Sequence, residues 1–330
     1  MITVCVDAMG GDEPAEVVCE GIALALKNDE DLSVLVAGNE DVVVPFCNEH
    51  ERAIPLVTTE VIGMEEHPAE SVRRKKDSSI VRACAAVRAG DAQGFFSAGS
   101  TGAVFLAATM GIGRIRGIKR PCLASIVPGL NGHQTVALDL GANADARPEM
   151  IVQFAQMGAA FARVSIGVDN PRVALLSNGE EETKGSEMVL AYHKALAEAD
   201  CGFVGNAEGT DILLGDFDVI VTDGFTGNVA LKTLEGTAKF IMAMLKESVS
   251  KSVRAKVGAL LLKPALKDIK QLLSGDDYGG AVLLGTKAPV FIGHGATSAQ
   301  AVASGTAACA AAIRGGLVDK VSQALIANDE

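Results

Sequence analysis

The chain has 330 residues, 48% hydrophobic and 21% charged, which is enough for a sizeable core and too apolar for a disordered protein. Its net charge of −12 excludes the broad basic surface that a nucleic-acid binder needs. Seven scattered cysteines with no Cys-x-x-Cys pair point to a reduced, cytosolic setting, and no apolar run approaches the roughly 18 residues of a membrane span. The strand-like start has no basic segment before it and reads as lacking a signal peptide.

The first predicted strand, Ile2–Val6, runs into Asp7-Ala8-Met9-Gly10-Gly11-Asp12 ahead of a helix over Ala15–Lys27. Gly10 and Gly11 allow backbone amides to approach an anion at that helix start. Asp7 and Asp12 would repel phosphate unless protein donors hold them, and Asp12 reads equally well as a helix cap. A strand over Ser33–Ala37 follows. The basic run Arg73-Arg74-Lys75-Lys76, a docking patch for an acidic partner or a solvated helix start, precedes a helix over Ser79–Ala89. Strand Gly94–Ser97 opens the loop Ser97-Ala98-Gly99-Ser100-Thr101-Gly102, with a helix over Gly102–Met110 behind it. Its hydroxyls and glycines suit an oxyanion cradle or a helix cap; no Lys follows the second glycine, so it is not a Walker A loop.

Strand Thr135–Leu138 leads into Asp139–Asp145, where Asn143 orients a ligand or merely builds the turn. After a helix over Arg147–Val164, strand Arg172–Leu176 carries the loop Ser177–Gly185, with Asn178 and Lys184. Lys184 can neutralise phosphate or protonate a leaving thiolate, or it is a solvated surface lysine. A helix over Ser186–Glu198 and strands Gly202–Gly205 and Val219–Thr222 come next. Then Asp223-Gly224-Phe225-Thr226-Gly227-Asn228 opens a helix over Asn228–Ser248, with Asn228 as oxyanion donor or N-cap.

The Lys- and Leu-rich stretch Ser250–Gly275 predicts a projecting helical excursion. Leu262, Leu266, Ile269 and Leu273 form one stripe of it, with Lys263, Lys267 and Lys270 alongside, facing lipid or a partner subunit. The last strand, Val290–Gly293, carries His294, Gly295 and Ser298. A glycine-flanked His suits acid/base work or phosphate contact, and is otherwise structural.

Alternating strands and helices predict an α/β/α sandwich with a mainly parallel sheet, whose ligand sits beyond the carboxyl ends of the strands. There is no Gly-x-Ser-x-Gly elbow, no paired Cys/His spacing for a metal and no Gly-x-Gly-x-x-Gly after the first strand.

Taken together, the loops resemble the PlsX family of phosphate acyltransferases. The resemblance rests on DAMGGDEP (Asp7–Pro14), RKKDSS (Arg74–Ser79), SAGSTGA (Ser97–Ala103), LDLGAN (Leu138–Asn143) and LLSNGEEETKG (Leu175–Gly185). It continues through TDGFTGNVALKTLEG (Thr222–Gly236), YGGAVLLG (Tyr278–Gly285) and GHGATS (Gly293–Ser298), and so spans nearly the whole chain. Ser100 stands where the family commonly has Asn, and Ala296-Thr297 replaces part of a Gly-Ser-Ser.

The resemblance implies one domain over 1–330 with an excursion at about 236–275, and the fold of isocitrate and isopropylmalate dehydrogenases and phosphotransacetylases. It implies a homodimer that takes acyl groups from acyl carrier protein to inorganic phosphate, with no metal and no nicotinamide. The acyl phosphate would feed a membrane glycerol-3-phosphate acyltransferase, placing the enzyme in the cytoplasm, peripherally at the inner face of the membrane. Residue chemistry then nominates Lys184, Asn228 and His294 as catalytic. Asp7, Gly10, Gly11, Ser97, Gly99, Ser100, Thr101, Gly102, Asn143, Asn178, Asp223, Gly224, Gly295 and Ser298 are the candidate phosphate and substrate contacts. The alternatives are a phosphotransacetylase-like enzyme using acyl-CoA, a non-catalytic phosphate-binding protein and, by fold analogy alone, a hydride-transfer enzyme.

Overall fold

The computed structural model describes residues 1–252, 254–262 and 279–326. Within them, eleven strands form one sheet in the order β3-β2-β1-β4-β11-β10-β5-β6-β9-β7-β8. The strands are β1 (Ile2–Asp7), β2 (Leu32–Gly38), β3 (Ala53–Val57), β4 (Gly94–Ser97), β5 (Cys122–Pro128) and β6 (Gln134–Leu138). The remainder are β7 (Val173–Leu176), β8 (Phe203–Ala207), β9 (Val219–Val221), β10 (Ala281–Leu284) and β11 (Val290–Ile292). Pairing is parallel except where β10 meets β11 and β5, and where β5 meets β6.

Those antiparallel pairs make the site. The strands β1, β2, β3, β4 and β11 run one way, and β6, β9, β7 and β8 run the other. Register places Asp7 beside Ser97, Ser97 beside Ile292, Ile292 beside Ala281 and Ala281 beside Ser125. From the other side Val221 pairs with Leu138, and Leu138 with Ala124. The two half-sheets are therefore staggered along β5, and their carboxyl ends arrive from opposite directions at the level of Ala124–Ser125.

The helices follow from buried faces. β1 is buried on both sides, as a parallel strand between helical layers should be. Val4 and Val6 enter one core with Ile22 and Leu26 of α1 (Ala15–Asn28), Phe154 of α6 (Pro148–Ser165) and Val302 of α10 (Ala299–Arg314). Cys5 enters the other core with Ile80 of α4 (Ser79–Ala89) and Val104 of α5 (Thr101–Gly111). Shorter helices α2 (Glu40–Glu49), α3 (Pro68–Arg74) and α8 (Asp211–Leu214) trim the loops, while α7 (Glu187–Ala197) and α11 (Leu317–Ile326) lie against α6.

The expected alternation omits β3, β5 and β10, because β5 and β10 pair antiparallel and interrupt the βα rhythm, and β3 is an edge strand carrying Pro55. The long helix α9 starts at Gly224 rather than Asn228 and runs to Ser250, with Asp223 as its cap. Gly224 and Gly227 are its only buried residues. Residues 254–262 are helical as well. Of the predicted apolar stripe Leu262 is exposed, and Leu266, Ile269 and Leu273 lie outside the described residues. Among the described residues no single helix is long and apolar enough to cross a membrane.

Candidate active site

Where the two half-sheets meet, a cavity of about 810 Å³ opens between α5 and α9. Its polar groups come from the loops and first helical turns: Gly99, Thr101, Gly102, Gly141, Asn228 and His294. The next turns of the same helices, together with β5 and α8, supply apolar wall: Phe105, Leu106, Ile126, Leu213, Leu231 and Leu234. An amphipathic chamber at a sheet switch point is a common ligand site in α/β folds.

Two buried carboxylates fix the polar loops. Asp7, at the end of β1, is fully buried. Its Oδ1 accepts from the Met9 N–H at 3.0 Å and its Oδ2 from the Ser97 hydroxyl at 2.7 Å. The Ser97 Oγ in turn accepts the Gly99 N–H at 3.0 Å, so one carboxylate ties the loop after β1 to the loop after β4. A side chain at Gly10 would stand 2.5 Å from Asp7 Oδ2 and 2.7 Å from Gly99 N, so only glycine fits. Burial pushes the Asp7 carboxyl up, opposed by its hydrogen bonds from Ser79, Ser97 and the Met9 and Gly10 amides.

Asp139 has the same place at the end of β6. Its Oδ1 accepts the Leu123 N–H at 2.9 Å and the Ala142 N–H at 3.1 Å, and its Oδ2 accepts the Asn143 N–H at 2.7 Å and side-chain amide at 2.9 Å. Asn143 also donates to the Pro121 carbonyl at 2.8 Å. Burial raises this carboxyl too, against the pull of the same donors. Gly227 comes so close to the Asp139 carbonyl that a Cβ there would overlap it, which lets the start of α9 sit on this loop.

The candidate residues thus divide by task. Asp7 and Ser97 are fully buried and hold loops, Asn143 holds the loop after β6, and Asp223 caps α9 by accepting the Thr226 N–H at 2.8 Å. The Ser298 hydroxyl caps α10, accepting the Ala301 N–H at 3.1 Å. The loop through Gly11 and Asp12 packs on Gly295, whose carbonyl accepts the Asp12 N–H at 2.8 Å; Asp12 caps no helix. Gly224 donates to the Asn143 carbonyl at 2.8 Å. Ser100 precedes α5 just outside the cavity wall, and Lys184 and Asn178, both exposed on the loop after β7, are off it as well.

The cavity holds charge that loop reading missed. Lys232 Nζ lies 3.0 Å from Glu235 Oε2, and His294 Nε2 lies 3.8 Å from Glu235 Oε1. Asn228, Lys232 and Glu235 stand at helical spacings of four and three on one face of α9. That spacing is the available signal, since the predicted helix Asn228–Ser248 already puts the three on one face.

At the cavity mouth, His67 and Ala69 also line a shallow surface groove shared with Glu70, Arg73 and Arg74. The basic run is only partly available there. Lys75 Nζ lies 2.5 Å from Glu66 and donates to the Val61 carbonyl at 2.6 Å, whereas Arg73 and Arg74 are exposed.

The chain matches the family model described as "Fatty acid synthesis protein" over residues 2–320. It is 45% identical over 323 residues to a phosphate acyltransferase of Limosilactobacillus reuteri, covering 96% of this chain and 94% of that protein. It is 44% identical to a phosphate acyltransferase of Bacillus licheniformis, covering 91% of each. Among solved structures it is similar in fold to a phosphotransacetylase from Streptococcus pyogenes, with a TM-score of 0.60 at 16% identity, over 95% of this chain and 94% of that one. A branched-chain phosphotransacylase from Enterococcus faecalis V583 matches with a TM-score of 0.56 at 16% identity, over 96% and 100%.

Proposed function

This chain belongs to the fatty acid synthesis protein family of phosphate acyltransferases, and on that premise we propose that it moves a fatty acyl group from acyl carrier protein to inorganic phosphate in the cavity between α5 and α9. It is an acyltransferase. The observation that carries the reading is one chamber in which glycine- and hydroxyl-bearing loops from both half-sheets adjoin a long apolar wall.

In this reading phosphate lies at the start of α5, where first-turn amides lack intrahelical partners and the helix dipole favours an anion. Lys232 adds positive charge. A phosphate oxygen forms the new bond to the thioester carbonyl carbon, the Asn228 amide donates to the carbonyl oxygen as it gains charge, and the carbon–sulfur bond breaks. The departing thiolate takes a proton from His294, which Glu235 orients. Phosphate is already an anion and a thiolate leaves readily, so positioning and charge neutralisation suffice and no acyl-enzyme forms. Lys184 and Asn178, exposed on the loop after β7, act only at long range, drawing phosphate toward this end of the sheet.

Acyl carrier protein, being acidic, would dock on Arg73, Arg74 and Lys76 and send its thioester arm past His67. The net charge of −12 makes such a local patch necessary. The exposed Phe240, Ile241, Met244, Leu260, Leu261 and Leu262 favour a homodimer contact on one face and a lipid contact on another. The enzyme would then be a cytoplasmic homodimer at the inner face of the membrane, passing acyl phosphate to a membrane glycerol-3-phosphate acyltransferase. Leu261→Asp should weaken binding to anionic vesicles or split the dimer, and unchanged behaviour in both assays removes this part.

The direct test of the reaction is incubation with palmitoyl acyl carrier protein and phosphate. Acyl phosphate and free carrier thiol should appear together. Turnover of acyl-CoA but not the carrier thioester would favour the phosphotransacetylase-like alternative, and phosphate binding without transfer would favour a non-catalytic protein.

A further inference from the structure

The apolar side of the cavity does not end at a solid wall. Behind it, under α9, lies a second void of about 20 Å³, room for about one water. Its lining is apolar apart from Thr222: Ala137 of β6, Ile220 of β9, Leu176 of β7, Ile212 of α8 and Ala230 of α9 are on its far side. Four residues belong to both spaces: Val127, Leu140, Leu231 and Leu234. Val127 and Leu140 are buried in the sheet layer, whereas Leu231 and Leu234 are half-buried and project from α9. The partition is therefore two leucines one helical turn apart, on a helix with no buried side chain larger than glycine.

A void between packed side chains forfeits contacts, and close-packed cores rarely leave one beside an open cavity without a reason. A water there would find the Thr222 hydroxyl as its one side-chain partner, too few for a stable site. A flexible hydrocarbon chain has the opposite preference. It needs no polar partner, and each methylene moved from water gains burial. Leucine side chains change rotamer within their own volume, so the partition can yield to a chain end pressing from the cavity.

We propose that Leu231 and Leu234 form the end-stop of an acyl channel, and that the void behind them sets how many terminal carbons of the acyl chain the enzyme accepts. This rests on the acyl-transfer reading of the same cavity. The carboxyl-derived end lies at Asn228 and Thr101; because Leu231 stands only one turn of α9 from Asn228, the chain must double back along Leu106, Ile126 and Leu213 before its methyl end meets the leucine pair.

The experiment measures kcat/KM with phosphate for lauroyl, myristoyl, palmitoyl and stearoyl acyl carrier protein. It compares the full-length enzyme with two variants of opposite design. Leu234→Ala opens the partition, and the ratio of stearoyl to palmitoyl kcat/KM should rise roughly tenfold. Ala230→Leu fills the void without lining the main cavity, and the same ratio should fall by a similar factor. If Leu234→Ala does not fold, Ala230→Leu decides alone. Variants that scale all four substrates by one factor overturn the end-stop while leaving acyl transfer intact. A wild-type enzyme that makes no acyl phosphate from any of the four overturns the transfer reading and the end-stop with it.

Discussion

The two half-sheets solve one problem with different chemistry. Each ends in a buried aspartate that anchors the loop carrying site residues. Asp7 uses the Ser97 hydroxyl and a local amide, and so binds two loops of the same half to one another. Asp139 accepts from four donors, including the Leu123 N–H of the central strand, and so fastens the second half to β5. The first clamp shapes the floor on which we place phosphate. The second fixes the distance between the halves and seats α9, which carries Asn228, Lys232 and Glu235. A carboxylate beside an anion site is tolerable because its charge is spent on protein donors.

Asp139→Ala breaks this contrast most severely. It leaves up to four buried or half-buried donors without their acceptor, at ~1–3 kcal/mol each where no water replaces it, so a loss of about 4 kcal/mol or more is expected in denaturant unfolding. Asp7→Ala should cost less, about 2–3 kcal/mol, since two of its donors are the Ser79 and Ser97 hydroxyls, which can turn to other acceptors, whereas Asp139 holds three fixed backbone N–H groups. Equal losses would mean that the two clamps do not differ as their hydrogen bonds suggest.

Chemistry should divide differently from stability. Lys232→Ala should lower turnover by about 10²-fold, as expected for one preorganised charge, with unfolding nearly unchanged because the side chain is exposed. Lys184→Ala should cost only about tenfold, because its charge lies off the cavity rather than at the reacting atoms. The reverse order would move the phosphate subsite to the loop after β7.

The smallest effect is a pH dependence with two signs. The Lys75 ammonium, the Gly63 N–H and the Ser71 hydroxyl hold Glu66 down at about 2. Its contribution is therefore complete above the ordinary carboxyl range and is lost as pH falls toward 2, and Glu66→Gln should remove that acid-side loss. Asp7 and Asp139 act oppositely. Their folded values lie above the unfolded ones, so the folded state holds more protons in between and stability falls as pH rises through that window. Asp7→Asn should flatten that falling limb in urea titrations at stepped pH.

Much of this was legible in the chain. Apolar runs followed by glycine-rich turns gave eight of the strands, and the loops after β4, β6, β9 and β11 line one cavity, while the loop after β7 stays off it. What escaped was whatever depends on partners distant in sequence. β5 and β10 carry no helix of their own between strand and partner, so alternation skipped them, yet they reverse the sheet and bring the halves together. The sequence could not show that the Asp7 carboxylate is held by Ser97, or that the Asn143 amide is held by Asp139 and the Pro121 carbonyl, because those partners lie far along the chain or across a turn. Lys232 and Glu235 stand out only once the cavity is seen to run along α9, which makes Asn228 the first of three residues on one wall.

The central claim is that converging loops bring phosphate directly to the thioester. It is tested most directly by rapid mixing of enzyme with a slight excess of palmitoyl acyl carrier protein, with and without phosphate. The account predicts no release of carrier thiol until phosphate is added, and then release matched one for one by acyl phosphate, with no acyl group on the protein by mass. A burst of thiol without phosphate, or an acyl-Ser or acyl-Cys adduct that phosphate then discharges, would contradict it.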